Sequence, residues 1–250
     1  MNSKLILAAV AALALSACAS TGGSSGGGST IAAAIADPAR PEADVKRDAD
    51  RKPAEMLAFA GVRPGMKVAD FLPGGGYFTR IFAKAVGPSG KVYAVINPPA
   101  PNAQQPPPII AVAQGYPNVQ VTPVPFANLA LPEPVDVFWT SQNYHDLYLT
   151  RFNLDVPSVD KAIFNAIKPG GVLIILDHAA NAGAEVGPTA NTLHRIDPAV
   201  VRRNLEAAGF RYEGESRALA NPADDHTKGV FDPSLRGHTD QFIYKFRKPR

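Results

Sequence analysis

The sequence predicts an α/β fold, a mostly parallel seven-stranded sheet with helices on both faces, and three observations predict it. Short apolar runs alternate with amphipathic helical stretches from Arg51 to Phe246. Val172 to Leu176 is apolar at every position, as expected of a parallel strand buried on both faces. The stretch Val68-Ala69-Asp70-Phe71-Leu72-Pro73-Gly74-Gly75-Gly76-Tyr77-Phe78-Thr79 runs from an apolar strand through an acid and a glycine turn into a helix pattern. That is how an α/β sheet builds a nucleoside-binding edge.

The elements follow in order. Arg51 to Gly61 reads as a helix, with Pro53 in its first turn and Gly61 at its end. Lys67–Phe71 is a short strand, Tyr77–Val86 an amphipathic helix stopped by Gly87-Pro88-Ser89-Gly90, and Lys91–Ile96 a second strand. A proline-rich loop, Pro98–Pro108, precedes a weak helix over Ile109–Gln114. Val119–Thr122 and Val135–Thr140 are the third and fourth strands. Ser158–Ile167 is a helix, stopped by Lys168-Pro169-Gly170-Gly171 ahead of the fifth strand, Val172–Leu176. Asp197–Ala208 is a helix with Pro198 in its first turn and Gly209 behind it. Phe210–Ala218 and Gln241–Phe246 are the last strands. Only a polar loop separates them, so they form an antiparallel pair at one edge.

The N-terminus reads differently. Lys4 is the only charge before an apolar run from Leu5 to Leu15, the pattern of a secretory signal. The run is shorter than the roughly 20 residues of a membrane span. Leu15-Ser16-Ala17-Cys18 resembles a bacterial lipobox, and that resemblance implies a signal over residues 1–17, cleavage, and acylation of Cys18. An ordinary signal with a chance cysteine, or a short anchor helix, is the alternative. Ala19 and Ser20, with no acid, imply sorting to the outer membrane facing the periplasm. Residues 18–47 are expected as tether and lead-in. Ser20–Thr30 is almost all Ser, Thr and Gly, and Ile31–Ala36 is a linker or loose helical turn. The single cysteine excludes an internal disulfide.

The body, residues 48–250, has the length of one α/β domain, and 46% hydrophobic residues supply one core. Without Lys4 the formal charge of +3 becomes +2. That balance, with no basic run interleaved with aromatics, argues against a nucleic-acid partner. Nothing in the sequence indicates an oligomeric state.

The body resembles the class I S-adenosylmethionine-dependent methyltransferases, and specifically a branch of predicted methyltransferases bearing a Pro-Gly-Gly-Gly-Tyr motif. The resemblance rests on Asp70 through Gly76, on Gly76-Tyr77-Phe78-Thr79, on Ile167-Lys168-Pro169-Gly170-Gly171-Val172-Leu173-Ile174-Ile175 before the fifth strand, and on Leu205-Glu206-Ala207-Ala208-Gly209-Phe210 before the sixth. It implies a Rossmann-like sheet, S-adenosylmethionine as cofactor, and a cofactor site of Asp70, Gly74, Gly75, Gly76, Tyr77 and Asn97. Two positions depart from the family pattern. Leu72 stands where the first glycine of the turn is usual, and Asn97 where an acid usually holds the ribose hydroxyls.

The remaining candidates lie just after strands, where open α/β sheets bind ligands. After the fourth strand come Ser141-Gln142-Asn143-Tyr144-His145-Asp146, and after the fifth Asp177-His178. His145 is the candidate general base, since its pKa lies near neutrality, or else it only caps the following segment. Asn143, Tyr144, Asp146, His178, His194 and Arg195 are candidate substrate contacts, with Arg195 suited to an acidic group. Asp197 reads as a helix N-cap. The loop Asn221–Asp240 is a lid or a solvated excursion. The five histidines all lie on polar segments and, with Asp146 and Asp177, could supply a metal site of nitrogen and oxygen ligands, but none shows the helical zincin spacing, so chance placement is the simpler reading and no metal site is expected.

Two functional readings follow. The first is a lipid-anchored methyltransferase acting on a small acceptor. The second is a small-molecule-binding module of the cell envelope that keeps the fold. A metal-assisted hydrolase built on the histidines is a weaker third.

Overall fold

A computed structural model describes residues 26–250. The signal segment, Cys18 and most of the Ser/Gly tether lie outside the described residues. Seven strands form one sheet: β1 (Lys67–Phe71), β2 (Lys91–Ile96), β3 (Val119–Pro123), β4 (Val135–Ser141), β5 (Ile167–His178), β6 (Arg211–Ser216) and β7 (Gln241–Arg247). Their spatial order is β3-β2-β1-β4-β5-β7-β6. The first five run parallel, and β7 lies antiparallel to both β5 and β6. The expected Rossmann-like sheet with an antiparallel edge is therefore what forms.

Both faces are covered, as a parallel sheet requires. Side chains alternate along each strand. Val68, Val92, Val137, Trp139 and Ile174 face one core shared with α4 (Pro53–Ala60), α5 (Tyr77–Val86) and α6 (Pro108–Gln114). Ala69, Phe71, Tyr93, Phe138 and Ile175 face a second core against α7 (Val156–Ala166) and α9 (Pro198–Ala208). Asp197 caps α9 by accepting from the amide of Ala199 at 2.8 Å, the role its place before Pro198 predicts.

Three departures from the sequence reading bear on function. The lead-in is helical. It holds α1 (Gly26–Ile35) and α2 (Glu42–Val45), and α3 (Asp48–Arg51) follows at the start of the body. Ile31 and Ala34 are buried in the first core, where the sequence suggested a linker or loose turn. Tertiary burial of one apolar face stabilises a helix whose glycines disfavour it alone. Second, α8 (Val186–Leu193) stands in what reads as a glycine-bearing loop. Asn191 holds it down, donating to the Tyr148 carbonyl and accepting from the Thr150 amide. Third, β5 begins at Ile167, so Lys168-Pro169-Gly170-Gly171 is strand rather than a helix stop. A Cβ on Gly171 would come 2.9 Å from the Asp136 carbonyl, so glycine lets β4 and β5 approach there.

The docking of α1 makes a stability prediction. Ile31→Ala should lower the unfolding free energy by about 2–4 kcal/mol, the cost of a core truncation, read from the urea midpoint. A tether would leave the midpoint unchanged.

Candidate functional site

The strand order turns between β1 and β4, and an open α/β sheet binds ligands where its order reverses. A cavity of about 400 Å³ opens there. Its floor is the turn after β1. Positions 72, 74 and 76 all take positive φ, at 53°, 56° and 79°. Glycine carries this at two of them, and Leu72 adopts it despite its Cβ. Two neighbours hold the turn in this shape. The Leu72 amide donates to the Val95 carbonyl at 2.9 Å, and Asn143 Nδ2 donates to the carbonyls of Phe71 and Leu72 at 2.9 and 3.1 Å. Gly74 and Gly75 line the cavity, and a Cβ on either would touch nothing. Gly76 faces α6 instead, where a Cβ would meet Val112 at 3.0 Å.

Asp70 lines the same cavity, is 2% exposed and accepts from Thr79 Oγ1 at 2.6 Å. Burial pushes its pKa up to about 7, against the hydroxyl and the nearby Arg51 charge. Tyr77 also lines the cavity, but its hydroxyl is committed, donating to Asp48 Oδ1 at 2.6 Å. Asn97 is exposed, as is every residue through Pro106, and does not reach the cavity. Asn97, the expected ribose contact, thus stands at the exposed start of the proline-rich loop and outside the cavity lining.

The lead-in supplies what the sequence reading missed. Arg40 holds Asp48 bidentately, at 2.6 and 2.8 Å, and Asp44 pairs with Arg80 of α5 at 2.9 Å. These bonds clamp α2 and α3 over the cavity, so Arg47 and Arg51 line it with Asp44. The Arg51 guanidinium lies 4.5 Å from the Tyr77 ring and donates to Ser141 Oγ at 2.9 Å. Among the described residues no carboxylate lies within ion-pair distance of it, and burial, with Arg47 beside it, lowers its pKa to about 10. The only signal was a run of charges, Lys46-Arg47-Asp48 and Asp50-Arg51-Lys52, which reads equally as a solvated face. Asn143 adds a further open group, since its Oδ1 is buried without a partner beside the cavity.

A second cavity, of about 520 Å³, meets the first at Arg47, Arg51 and Gln142. Leu176, Val230 and Phe231 give it apolar wall, and Arg236 adds a third guanidinium against one acid, Asp50. His178 lines it, with Nδ1 2.7 Å from Thr239 Oγ1, and burial lowers its pKa to about 4. The loop 221–240 thus walls a cavity. It is pinned by Arg195, which is fully buried, pairs with Asp224 at 2.8 Å and donates to the carbonyls of Ala179 and Lys228. Arg195 is an anchor and not the substrate contact its sequence position suggested, because loop and strand end enclose its guanidinium. Tyr144 is also withdrawn from the cavities. It is buried, with its hydroxyl donating to Asp160 at 2.9 Å.

Between the cavities lies a cluster around His145. Its backbone amide donates to Asp177 Oδ2 at 2.7 Å, and its Nδ1 lies 2.8 Å from Asp177 Oδ1. A carboxylate only accepts, so Nδ1 carries the proton and Nε2 is the open nitrogen. Nε2 lies 3.3 Å from His194 Nδ1 and 3.5 Å from Asp146 Oδ1. Burial opposes the imidazolium, yet the Asp177 charge and hydrogen bond raise the His145 pKa on balance. His194 is lowered by burial and by His145. His145 itself lines neither cavity. Asp146 lines the first, and the His194 ring rests 5.0 Å from Phe231 of the second.

The fold has many counterparts among solved structures. A SAM-dependent methyltransferase from Aquifex aeolicus superposes with a TM-score of 0.54 at 20% identity, over 77% of this chain and 87% of that one. The 1,6-didemethyltoxoflavin-N1-methyltransferase of Burkholderia thailandensis, solved with that compound and S-adenosylhomocysteine, gives 0.53 at 18% identity, over 81% and 80%. The cyclase SpnF gives 0.55 at 18% identity, over 80% and 81%. In sequence, 40 residues are 57% identical to the ubiquinone/menaquinone biosynthesis C-methyltransferase UbiE of Burkholderia vietnamiensis. That segment covers 16% of this chain and 16% of that protein. No family model matches the chain. The shared feature is the methyltransferase fold, which the cyclase shows can carry other chemistry.

The buried acid at the cavity floor makes a pH prediction. From about pH 4 to 7 unfolded Asp70 is ionised while the folded carboxyl keeps its proton, so stability falls as pH rises through that window. Asp70→Asn removes this slope. Urea titrations at successive pH values should show the difference between variant and parent moving in the variant's favour, by up to about 4 kcal/mol. A pH-independent difference would contradict an Asp70 titrating near neutrality.

Proposed function

We propose that the chain is an S-adenosylmethionine-dependent methyltransferase acting on a small anionic acceptor. The observation that carries this is Arg51, a half-buried guanidinium with no carboxylate within ion-pair distance among the described residues, which lines with Arg47 the cavity over the glycine turn. A partly desolvated cation without a counter-charge favours an anionic ligand. The cofactor's carboxylate fits Arg51. Asn143 Oδ1, an unpartnered acceptor, fits its ammonium. Gly74 and Gly75 leave the backbone open to close approach. When bound, the cofactor supplies an electrophilic methyl group on a sulfonium.

The chain's own residues do the positioning on which such a transfer chiefly depends. Asn143 fixes the turn, and Tyr77 and Asp48 hold α3 so that Arg51 stays over the cavity. The second cavity takes the acceptor. Arg47 and Arg236 face its acidic group, while Leu176, Val230 and Phe231 cover its apolar part. His145, which lines neither cavity, is a positioning residue: Asp177 orients it, and it holds His194 and Asp146 toward the cavities.

The exposure of Asn97 favours a second reading, a binding module of the envelope that keeps the fold but recognises another ligand. Calorimetry separates the two. S-adenosylmethionine or its demethylated product should bind the full chain, and Arg51→Ala should weaken binding about 10- to 100-fold, the loss of a charged hydrogen bond. No binding at millimolar ligand would leave only the second reading.

We further propose export and acylation of Cys18, with the domain held at the outer membrane facing the periplasm. Among the described residues no helix is long and apolar enough to cross a membrane. Intact mass spectrometry should show a lipidated Cys18, and Cys18→Ala should release the protein from the membrane fraction. An unprocessed N-terminus in the parent would refute the anchor.

A further inference from the structure

We infer that His145, Asp146 and His194 form a binding site for one first-row divalent transition-metal ion. Two imidazole nitrogens and one carboxylate oxygen converge here, all within 4.8 Å of one another. Imidazole with carboxylate is a donor set that zinc, iron, cobalt and nickel accept, whereas magnesium and calcium prefer oxygen alone.

The spacing fits a shared ion. Ligands about 2.1 Å from a tetrahedral metal lie about 3.4 Å apart. His145 Nε2 sits 3.3 Å from His194 Nδ1 and 3.5 Å from Asp146 Oδ1. Both contacts already match that spacing, and the third pair, His194 with Asp146, lies within 4.8 Å and closes as the ion is bound.

The surroundings are those of a ligating histidine. Metal-bound imidazoles usually donate their other ring nitrogen to a carboxylate, which fixes tautomer and ring orientation. His145 does this with Asp177, which also accepts from the amides of His145 and His178. The tautomer so imposed leaves the Nε2 lone pair directed at the two other donors. His145 and Asp177 are nearly or fully buried, so the supporting half of the site is rigid. Asp146 and His194 are less buried and lie toward the cavities, which leaves a route for the ion and an open coordination position.

Three protein ligands and an open position describe a catalytic rather than a structural centre. Between the two cavities, the open position faces where the acceptor is proposed to lie. That last point alone rests on the methyltransferase reading. Sequence spacing could not reveal the site, since His145 and His194 come from separate elements 49 residues apart.

The test uses untagged full-length protein stripped with chelator. Zinc titrated by calorimetry should bind one equivalent, and cobalt should give the ligand-field bands of a low-coordinate nitrogen and oxygen site. His194→Ala should weaken zinc binding at least about 100-fold. Asp177→Asn, which keeps all three ligands, should weaken it about 10- to 100-fold. Circular dichroism confirms that each variant is folded. His226→Ala removes a different histidine–carboxylate pair, His226 with Asp240 at 3.0 Å, and should leave binding unchanged. Absence of binding by zinc, cobalt, nickel and iron(II), or zinc binding unaffected by His194→Ala, would overturn the site. S-adenosylmethionine titrated into the same sample reads the methyltransferase proposal separately, through Arg51, so either can fail alone.

Discussion

One buried carboxylate ties the functional edge of the sheet together. Asp177, at the end of β5, accepts from the amide and ring of His145 beyond β4 and from the amide of His178 on its own strand. Burial alone would raise its pKa and neutralise it. The partners, His145 foremost, reverse that and hold it ionised. Because the charge is satisfied only in this geometry, the crests of β4 and β5 are locked in one arrangement. His194 and Asp146 can then gather on the open nitrogen of His145, and His178 is turned toward Thr239 and the second cavity.

The glycine turn obeys the same logic with neutral groups. Its left-handed positions are held by Asn143 and by the Val95 carbonyl, so a leucine survives where glycine is expected. Strain at Leu72 is tolerated because neighbouring strands over-determine the backbone. The turn, the arginines above it and the cluster beside it form one continuous edge. Its two cavities share Arg47, Arg51 and Gln142. Positive groups predominate along the edge: Asp70, Asp44 and Asp146 are committed to Thr79, Arg80 and the histidine cluster, and Asp50 faces three guanidinium groups in the second cavity. That charge distribution, rather than the fold, is what argues for an anionic acceptor.

Parts of this were legible in the sequence because they depend on local chemistry. Alternation and apolar runs located all seven strands, and the acid with its glycines located the cavity floor. The Asp197-Pro198 pair marked the start of α9. Arg195 and Tyr144 misled because a polar residue after a strand reads the same whether it faces solvent or a buried partner. Asp224 and Asp160, their partners, are 29 and 16 residues away. The helical lead-in was illegible for a related reason. Glycine and alanine give α1 no strong signal, and it is ordered by the core it docks on.

The sequence by itself determined the sheet, the edge where a ligand binds and the turn that floors the cavity, since periodicity and glycine placement are properties of neighbouring residues. Only the tertiary structure decided which charged groups reach that edge. Asn97 leaves it, Arg51 arrives at the end of a short helix ahead of the one expected to begin with it, and two histidines from distant elements meet over one carboxylate. The physical reason is that the meaning of a charge depends on its partners, and here folding sets those partners across dozens of residues.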